Sequence, residues 1–492
     1  MKKYILSIDQ GTTSTRAILF NKNGEKVYSA QEEIRLIYPH EGWVEADPLE
    51  IWKSVVNVIS DIMIESEATW EDIDSIGITN QRETTIVWDK TTGRPVYNAI
   101  IWQSRQSAEI CDKFAKKEAV IHNKTGLIIN PYFSASKIRF ILDAVEGAQE
   151  RAKKGELLFG TIDTWLIWKM TNGKVHATDT TNASRTLLYN IYELKWDEEL
   201  CKMFNIPMSM LPEVHSSKHD FGAFDFIKSP VHILGVAGDQ QASLFGHTCF
   251  NKGDCKNTYG TGCFMLMNTG EKPIFSKNGL LTTIAWTLDG KTTYALEGSV
   301  FIGGAAIQWL RDGLKAIDEA SDCDHYASKV ENSGGVYFVP AFVGLGTPYW
   351  DDDVRGSMFG MTRATKKPHI VRATLEAIAY ESKDVFDIMQ EESGIDIKSL
   401  QVDGGATNSN ILMQFQSNIC QIEIKKPACL ESTALGVCYL AGLQSGFFSS
   451  INDIKQCHDF RQTYKPEISG AEANKLCKGW KIAINAARSF KL

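Results

Sequence analysis

The sequence predicts an α/β protein of two domains, each with a mixed β-sheet flanked by helices. The chain of 492 residues is too long for one hydrophobic core and suits two domains of similar size. Antiparallel hairpins are followed by strands that alternate with amphipathic helices. Each half also opens with a strand, a turn rich in glycine and threonine, and a returning strand. We place the domain boundary after residue 248, which gives domains of residues 1–248 and 249–492.

The first hairpin has the residues of a phosphate-binding turn. An apolar strand ends in Asp9 and turns through Gly11 into a row of hydroxyl side chains, after which apolar residues resume. Glycine lets the backbone approach a phosphate, and successive N–H groups and hydroxyls can bind it. Asp9 is suited to orient a hydrated magnesium ion, and Arg16 to face a phosphoryl group. The same residue types also form ordinary polar turns, so this stretch alone leaves both interpretations open.

The remainder of the first half is predicted to form further strands and helices. A helix is expected to begin at Asp47, which is a good N-cap, with Pro48 in its first turn. Ile51 and the apolar residues that follow at helical spacing give this helix one buried face. We also predict strands at Lys26–Ala30 and Ser75–Thr79 and helices at Leu157–Met170 and Leu187–Phe204.

The second half repeats the opening unit of the first. Strands are predicted at 255–259 and 263–267, joined by the turn Gly260-Thr261-Gly262. Two such hairpins facing each other across a cleft would clamp a polyphosphate. Farther along, a long helix from Val371 is stopped by Gly394, and a strand at 400–402 runs into Asp403-Gly404-Gly405 before a helix at about 408–420.

Composition predicts a cytoplasmic enzyme. The net charge of −8 and the lack of basic runs argue against nucleic-acid binding. No run approaches the ~20 apolar residues of a membrane span. The 11 cysteines lack zinc-site spacing and are expected to be buried, reduced thiols. The C-terminal Phe490-Lys491-Leu492 is only an imperfect peroxisomal signal.

Three glycine-rich turns carry a family resemblance. The chain lacks GxxxxGK[ST], and no GxGxxG follows its first strand. Instead, the turns at 9–13, 260–262 and 403–405 resemble the two phosphate motifs and the adenosine motif of the actin/Hsp70/sugar-kinase superfamily. The stretch GSMFGMTRATKKPHIVRATLE at 356–376 is similar to the C-terminal signature of the FGGY family of carbohydrate kinases. The resemblance implies two actin-like (ribonuclease H-like) domains with the active site in the cleft between them.

Within that family, four stretches resemble the members that phosphorylate glycerol. They are Asn80–Thr85, Ile101–Arg105, Asp239–Gln241 and Phe342–Trp350. The implied reaction transfers the γ-phosphoryl group of ATP to glycerol, with magnesium, and gives sn-glycerol 3-phosphate and ADP. This is the first step of glycerol catabolism. The resemblance also implies a homodimer or homotetramer.

The resemblance assigns roles residue by residue. Asp239 would be the general base and a second candidate magnesium ligand, while Asp9 would hold magnesium through water. Without the resemblance, Asp239 also suits a helix N-cap after Gly238. The residues implied to bind glycerol are Arg82, Glu83, Trp102, Tyr132, Asp239, Gln240 and Phe264. Those implied to bind the nucleotide are Thr12, Thr13, Ser14, Arg16, Thr261, Gly304, Gln308, Gly405 and Ser409.

Two other functions are weighed against this one. A related FGGY kinase would act on another polyol or a ketose, and Arg82, Glu83 and Trp102 argue against the larger pocket that it needs. A nucleotide switch of the Hsp70 or actin type would use ATP to control partner binding and would have no polyol site. Release of ADP that depends on a polyol separates an enzyme from such a switch.

Overall fold

Two mixed β-sheets, one from each half of the chain, organise the computed structural model, which describes residues 2–490. The strands of the first half are β1 (Tyr4–Gln10), β2 (Ser14–Phe20), β3 (Lys26–Glu33), β4 (Glu45–Ala46), β5 (Ile73–Asn80), β6 (Ile86–Asp89), β7 (Ala99–Ile100), β8 (Leu157–Gly160), β9 (Ala177–Asp179), β10 (Tyr189–Asn190), β11 (Lys195–Trp196), β12 (Glu213–His215), β13 (Ala223–Phe224) and β14 (Val231–Gly238). Its helices are α1 (Pro48–Glu65), α2 (Ala108–Lys113), α3 (Glu118–Thr125), α4 (Ser134–Ala144), α5 (Ala148–Lys153), α6 (Ile162–Met170), α7 (Thr180–Ala183), α8 (Glu198–Met203) and α9 (Asp239–Gly246).

The second half supplies the other large sheet and the longest helices. Its strands are β15 (Cys255–Tyr259), β16 (Cys263–Gly270), β17 (Leu281–Leu288), β18 (Lys291–Val300), β19 (Tyr337–Val339), β20 (Ser357–Phe359), β21 (Ser399–Asp403), β22 (Glu423–Pro427) and β23 (Phe460–Tyr464). Its helices are α10 (Gly304–Asp312), α11 (Asp322–Ala327), α12 (Lys367–Ser393), α13 (Asn410–Cys420), α14 (Ser432–Ser445), α15 (Ile451–Gln456) and α16 (Gly470–Ser489).

The two sheets share one strand arrangement. In the first, the order is β3-β2-β1-β5-β14-β13, with three antiparallel strands, two parallel additions and an antiparallel edge strand. In the second, β18-β16-β15-β21-β22-β23 repeats this succession, and β17 is added outside β18. The repeated opening unit in the sequence therefore corresponds to a repeated sheet topology.

Apolar packing gives each half its own core and joins the halves through a third. Ile8, Val58 and their neighbours fill the first core, and Leu296, Ile378 and theirs fill the second. The third contains residues of β1 and β2 together with α9 and α14. Helix α14, from the second half, therefore packs on the sheet of the first half.

Local signals account for where the predicted helices begin and end. The Asp47 carboxylate accepts the N–H of Leu49 at 2.8 Å, which caps α1. Helix α12 ends at Gly394, whose φ of 62° suits glycine at a helix C-terminus. The strands predicted at 26–30, 75–79 and 255–259 lie within β3, β5 and β15.

Two predicted helices are wrong over part of their length. The stretch from Leu157 begins as β8, because residues 157–160 pair with β6, and α6 starts only at Ile162. In the stretch from Leu187, the Asn190 side chain accepts the N–H groups of Tyr192 and Glu193 and turns the chain. The helix there is restricted to α8.

The cysteine prediction agrees with the structure. All 11 cysteines are free thiols, and most are buried. Among the described residues, no helix combines the length and apolar character needed to cross a membrane. The tail compared with a peroxisomal signal includes Lys491 and Leu492, which lie outside the described residues.

Candidate active site

The candidate site forms where neighbouring parallel strands of the first sheet end. Strands β1, β5 and β14 are paired so that Asp9, Thr79 and Ala237 lie side by side. The chain continues from β5 to Arg82 and from β14 to Asp239. Because the carboxyl ends of parallel strands meet at one edge, these side chains come together although they are far apart in sequence.

Three aromatic side chains stand beside this edge. The Trp102 ring lies edge-to-face with Tyr132, at 5.5 Å between centroids, and with Phe264, at 6.2 Å. The indole N–H of Trp102 donates to the Thr12 hydroxyl at 2.9 Å. The aromatic group is thus attached to the turn of the first hairpin. Phe264 comes from β16, so both halves of the chain contribute to it.

Asp239 is the first residue of α9 and faces Arg82. Its carboxylate lies 3.1 Å from the Arg82 Nε and accepts the N–H of Gln240 at 2.7 Å. Gly238 occupies the N-cap position, so the N-cap interpretation of Asp239 is wrong. Burial raises the pKa of Asp239, whereas the Arg82 guanidinium opposes that rise. The side chain remains 30% exposed, which leaves the carboxylate open to a reacting group.

A buried network of two arginines and two glutamates supports Arg82. Glu297 on β18 accepts from Arg82 at 2.5 and 2.9 Å and from Arg185 at 2.9 Å. Arg185 also donates to Glu83 at 2.6 Å. All four side chains are at most 2% exposed. Glu83 holds a φ of 61°, a strained conformation for a residue with a side chain.

The first hairpin forms the predicted tight turn. The N–H of Gly11 donates to the carbonyl of Ser14 at 2.9 Å, and Thr13, between them, is exposed. Arg16 lies opposite Asp9 on the neighbouring strand and donates to Gln31 at 2.8 Å. Its guanidinium also pairs with Glu431 at 3.3 Å.

The second hairpin and the predicted adenosine motif adjoin each other. The N–H of Gly304 donates to the Gly260 carbonyl, and the N–H of Gly303 to that of Thr261, both at 2.8 Å. Thr261 and Gly405 are exposed at this edge. Gly404 turns with φ 92° directly against the backbone of Tyr259. Thr261 of the second hairpin, Gly304 at the start of α10 and Gly405 of the predicted adenosine motif are therefore gathered around one strand end.

Two predicted nucleotide contacts have different surroundings. Gln308 is exposed on α10. Ser409 is the N-cap of α13, where its hydroxyl accepts the N–H of Leu412 at 3.1 Å and bonds to the Asp324 carboxylate. The Ser409 hydroxyl is thus already engaged within the protein.

Asp9 and Asp239 offer carboxylate oxygens, the type of ligand that Mg²⁺ prefers. Burial and the negative charge of Asp239 raise the pKa of Asp9 to about 7, although Arg16 opposes the rise. A cation between these carboxylates would relieve their repulsion. No group of three or more metal-ligating side chains occurs among residues 2–490. Two carboxylates with water and phosphate oxygens suit Mg²⁺, which seldom uses an all-protein cage.

Sequence reasoning missed three buried charges at this site. Arg185 and Glu297 complete the network described above, and Lys256 on β15 lies fully buried beside Gln240. The signal for Glu297 was a single charge inside the otherwise uncharged run from Thr292 to Phe301. A charged residue at such a position requires a partner, and here the partners come from the other half of the chain.

Both halves of the chain match family models. The model of the N-terminal domain of the FGGY family of carbohydrate kinases matches residues 4–246, and that of its C-terminal domain matches residues 255–445.

Curated relatives align with the whole chain. A glycerol kinase of Bacillus licheniformis is 59% identical over 496 positions, covering 100% of both chains. A glycerol kinase of Bacillus cereus is 56% identical with the same coverage.

Solved structures confirm the predicted two-domain α/β fold class. The structure of Plasmodium falciparum glycerol kinase with ADP is 38% identical, covers 98% of each chain and has a TM-score of 0.92. A ligand-bound xylulose kinase from Lactobacillus acidophilus is 25% identical, with a TM-score of 0.88 and 98% coverage of each chain.

Proposed function

The chain belongs to the FGGY family of carbohydrate kinases, and we propose that it is an ATP-dependent glycerol kinase. It transfers the γ-phosphoryl group of ATP to glycerol and gives sn-glycerol 3-phosphate and ADP. The observation that carries this proposal is the pairing of Asp239 with Arg82 at 3.1 Å, beside the aromatic group of Trp102, Tyr132 and Phe264. In this arrangement, Asp239 is available as a general base and Arg82 as a polar partner for hydroxyl groups. The three aromatic side chains next to them form apolar walls for a short carbon chain.

Asp239 acts as the general base. Its carboxylate accepts the proton of the attacking hydroxyl as the oxygen–phosphorus bond forms, and the bond from the γ-phosphorus to the bridging oxygen breaks to release ADP. A positioned base contributes roughly 10²–10⁴ in rate. Alignment and charge neutralisation provide most of the remainder in phosphoryl transfer. Arg82 keeps Asp239 oriented and favours its charged form.

The polar residues around glycerol match its three hydroxyls. Arg82, Glu83, Tyr132 and Gln240 supply donors and acceptors for them. An unpaired buried hydroxyl would cost about 1–3 kcal/mol, so a complete set of partners is needed. The aromatic group excludes water from the γ-phosphoryl group and restricts the length of the substrate.

For the nucleotide, we assign phosphate binding to the two hairpins. The first contributes Thr12, Thr13, Ser14 and Arg16, and the second contributes Thr261. Gly304, Gln308, Gly405 and Ser409 lie on the ribose and adenine side. Asp9, through water, and Asp239 would hold Mg²⁺, which supplies charge neutralisation for the β- and γ-phosphates.

We further propose that residues 1–248 and 249–492 are the two domains, that the protein is a homodimer or homotetramer, and that it acts in the cytoplasm. The supporting observation for the domains is that each range contains one of the two large sheets.

The test is ADP release with magnesium-ATP in the presence of glycerol, erythritol, xylitol, ribulose or xylulose. Glycerol is expected to be strongly preferred. Asp239→Asn is expected to lose about 10²–10⁴ in kcat while ATP still binds. Asp220→Asn, which changes an exposed carboxylate of the preceding stretch, is the matched control and keeps wild-type activity.

Other outcomes favour the competing functions. Preference for xylulose or another polyol would retain the fold and the base but reject the pocket assignment. If no polyol stimulates turnover, the nucleotide switch becomes the better explanation.

A further inference from the structure

Lys256 is a fully buried lysine that reaches into the proposed glycerol site from the second half of the chain. Its Nζ lies 2.5 Å from the Gln240 Oε1, 2.9 Å from the Thr258 hydroxyl and 3.3 Å from the Phe264 carbonyl. A buried ammonium group is stable only when its three donors are satisfied, and these partners satisfy them. Two of these partner residues, Gln240 and Phe264, are among those that we place around glycerol.

The charges around Lys256 favour its ammonium form. The Asp239, Asp403 and Glu297 carboxylates face it from α9, β21 and β18, and the Arg82 guanidinium opposes them. Burial lowers the pKa of Lys256 to about 8, which still leaves the group charged at neutral pH.

This contact determines how the Gln240 amide is turned. An ammonium group has N–H donors and no acceptor, so the amide atom 2.5 Å from Lys256 must be the oxygen. The amide nitrogen then points away from Lys256. Within residues 2–490, that nitrogen donates to no side chain or carbonyl, and it is not among the fully buried unpaired atoms. Gln240 directly follows the proposed base and is one of the residues that we place around glycerol, so its free N–H donor is available to a polyol hydroxyl there.

We propose that Lys256 is a positioning residue that holds the Gln240 amide with its NH₂ group toward the substrate, so that Gln240 binds a glycerol hydroxyl as a donor. This inference rests on the proposed glycerol kinase activity. Without Lys256, no contact holds the amide oxygen away from the substrate, and Gln240 no longer presents a fixed N–H donor. A purely structural lysine would instead affect stability without affecting recognition of the polyol.

The first test compares Lys256→Met with wild type. Methionine retains most of the volume and removes the charge and the donors. The KM for glycerol is expected to rise about five- to tenfold, which is the scale of one hydrogen bond, while kcat and the KM for ATP stay within about twofold. Gln240→Ala should show the same pattern, and the double variant should be no worse than either single variant because both remove one interaction.

Substrate analogues provide a second readout. The two propanediols each lack one glycerol hydroxyl, so wild type should discriminate against the one that lacks the Gln240 partner. In the Lys256→Met variant, the discrimination between the two propanediols should fall to the level that the Gln240→Ala variant shows. Gln240→Glu is the variant to use if Lys256→Met does not fold, because its carboxylate still pairs with Lys256 but has no N–H group. It should lose the same discrimination.

Lys426→Met is the matched control. Lys426 is also a buried lysine of the second half, but it donates to the Thr407 carbonyl and to Asn408, both at 3.0 Å. It should leave the KM for glycerol unchanged. Additive effects in the double variant, or an unchanged KM and unchanged discrimination in Lys256→Met, would overturn the inference alone. If wild type shows no glycerol-dependent turnover, the proposed function and the inference both fail.

Discussion

At the scale of single residues, the bond from Trp102 to Thr12 connects the two proposed substrate sites. Trp102 belongs to the aromatic group that we propose beside glycerol, whereas Thr12 belongs to the hairpin that we propose binds phosphate. Because the donor is the indole N–H, the role of this bond can be separated from that of the aromatic surface.

Trp102→Phe is therefore expected to impair ATP binding as well as glycerol binding. Phenylalanine keeps an apolar wall but leaves the Thr12 hydroxyl without its 2.9 Å donor. The KM for ATP at saturating glycerol should rise about two- to tenfold, as for loss of one hydrogen bond. Thr12→Val should reproduce this rise, whereas Thr12→Ser keeps the hydroxyl and should not. An unchanged KM for ATP in both Trp102→Phe and Thr12→Val would contradict the connection.

His176 is expected to make the protein sensitive to acid. Burial lowers its pKa to about 4, and its ring packs against Trp88 and Trp168 while Nε2–H donates to the Phe159 carbonyl at 2.8 Å. The unfolded chain, with a pKa of about 6.5, binds a proton that the folded protein excludes. The contribution of neutral His176 to the free energy of unfolding is therefore fully present above about pH 7, and it is lost as the pH falls toward 4.

His176→Gln keeps a donor and does not titrate. Between about pH 7 and pH 5, its loss of stability should be smaller than that of wild type by about 1–2 kcal/mol, or a few degrees in melting temperature. Thermal melts at both pH values measure the difference. Equal pH dependence of the two proteins would show that His176 does not contribute.

At the scale of elements, helices α9 and α14 are in direct backbone contact. A side chain at Gly436 would overlap the carbonyl oxygen of Ala242, and one at Gly246 would overlap that of Ser432. The two helices belong to different halves of the chain, and α9 begins with Asp239. The contact thus determines how closely the helix that carries the proposed base packs against the second half.

Gly436→Ala should separate these helices. The added methyl group has no space, and overpacking a core of this kind costs about 1–3 kcal/mol. The midpoint of urea unfolding should fall, and kcat should fall with it because α9 shifts. Gln444→Ala, at an exposed position of the same helix, should change neither quantity. Wild-type stability in Gly436→Ala would show that the helices can move apart without cost.

The sequence predicted elements well where the signal is local. The Asp47 cap, the Gly394 stop and the two hairpins with glycine- and threonine-rich turns depend on residues that are neighbours in the chain. The stretch from Leu157 has the apolar pattern of a helix, but its first residues form β8, whose strand partners lie about 70 residues earlier, in β6. Pairing at such separation leaves no local pattern, so tertiary contacts override the helix periodicity.

At the scale of the whole molecule, Glu297 joins the two halves. It lies on β18 of the second sheet, and both of its partners, Arg82 and Arg185, come from the first half. The resemblance led to Arg82, but nothing in the sequence pairs it with Glu297, 215 residues away. The need to neutralise a buried charge shows that a partner must exist across the cleft, but it does not identify which residue that partner is.

Glu297→Gln should therefore weaken both folding and substrate binding. The network of two arginines and two glutamates is neutral, and removing one negative charge leaves an uncompensated buried cation. Arg185 and Arg82, acting against burial, lower the pKa of Glu297 to about 2, so wild type carries this charge throughout the physiological range. Breaking one member of a buried ion group costs about 3–5 kcal/mol.

Denaturant unfolding and glycerol kinetics together test this expectation. The midpoint of unfolding should fall strongly, and the KM for glycerol should rise because Arg82 is no longer held beside Asp239. Asp312→Asn removes one partner of the exposed Arg311–Asp312 pair and should leave both quantities unchanged. Loss of stability with an unchanged KM would limit Glu297 to joining the two halves. A rise in KM as well would mean that the contact between the halves also shapes the glycerol site, because the second half then determines where a first-half arginine lies.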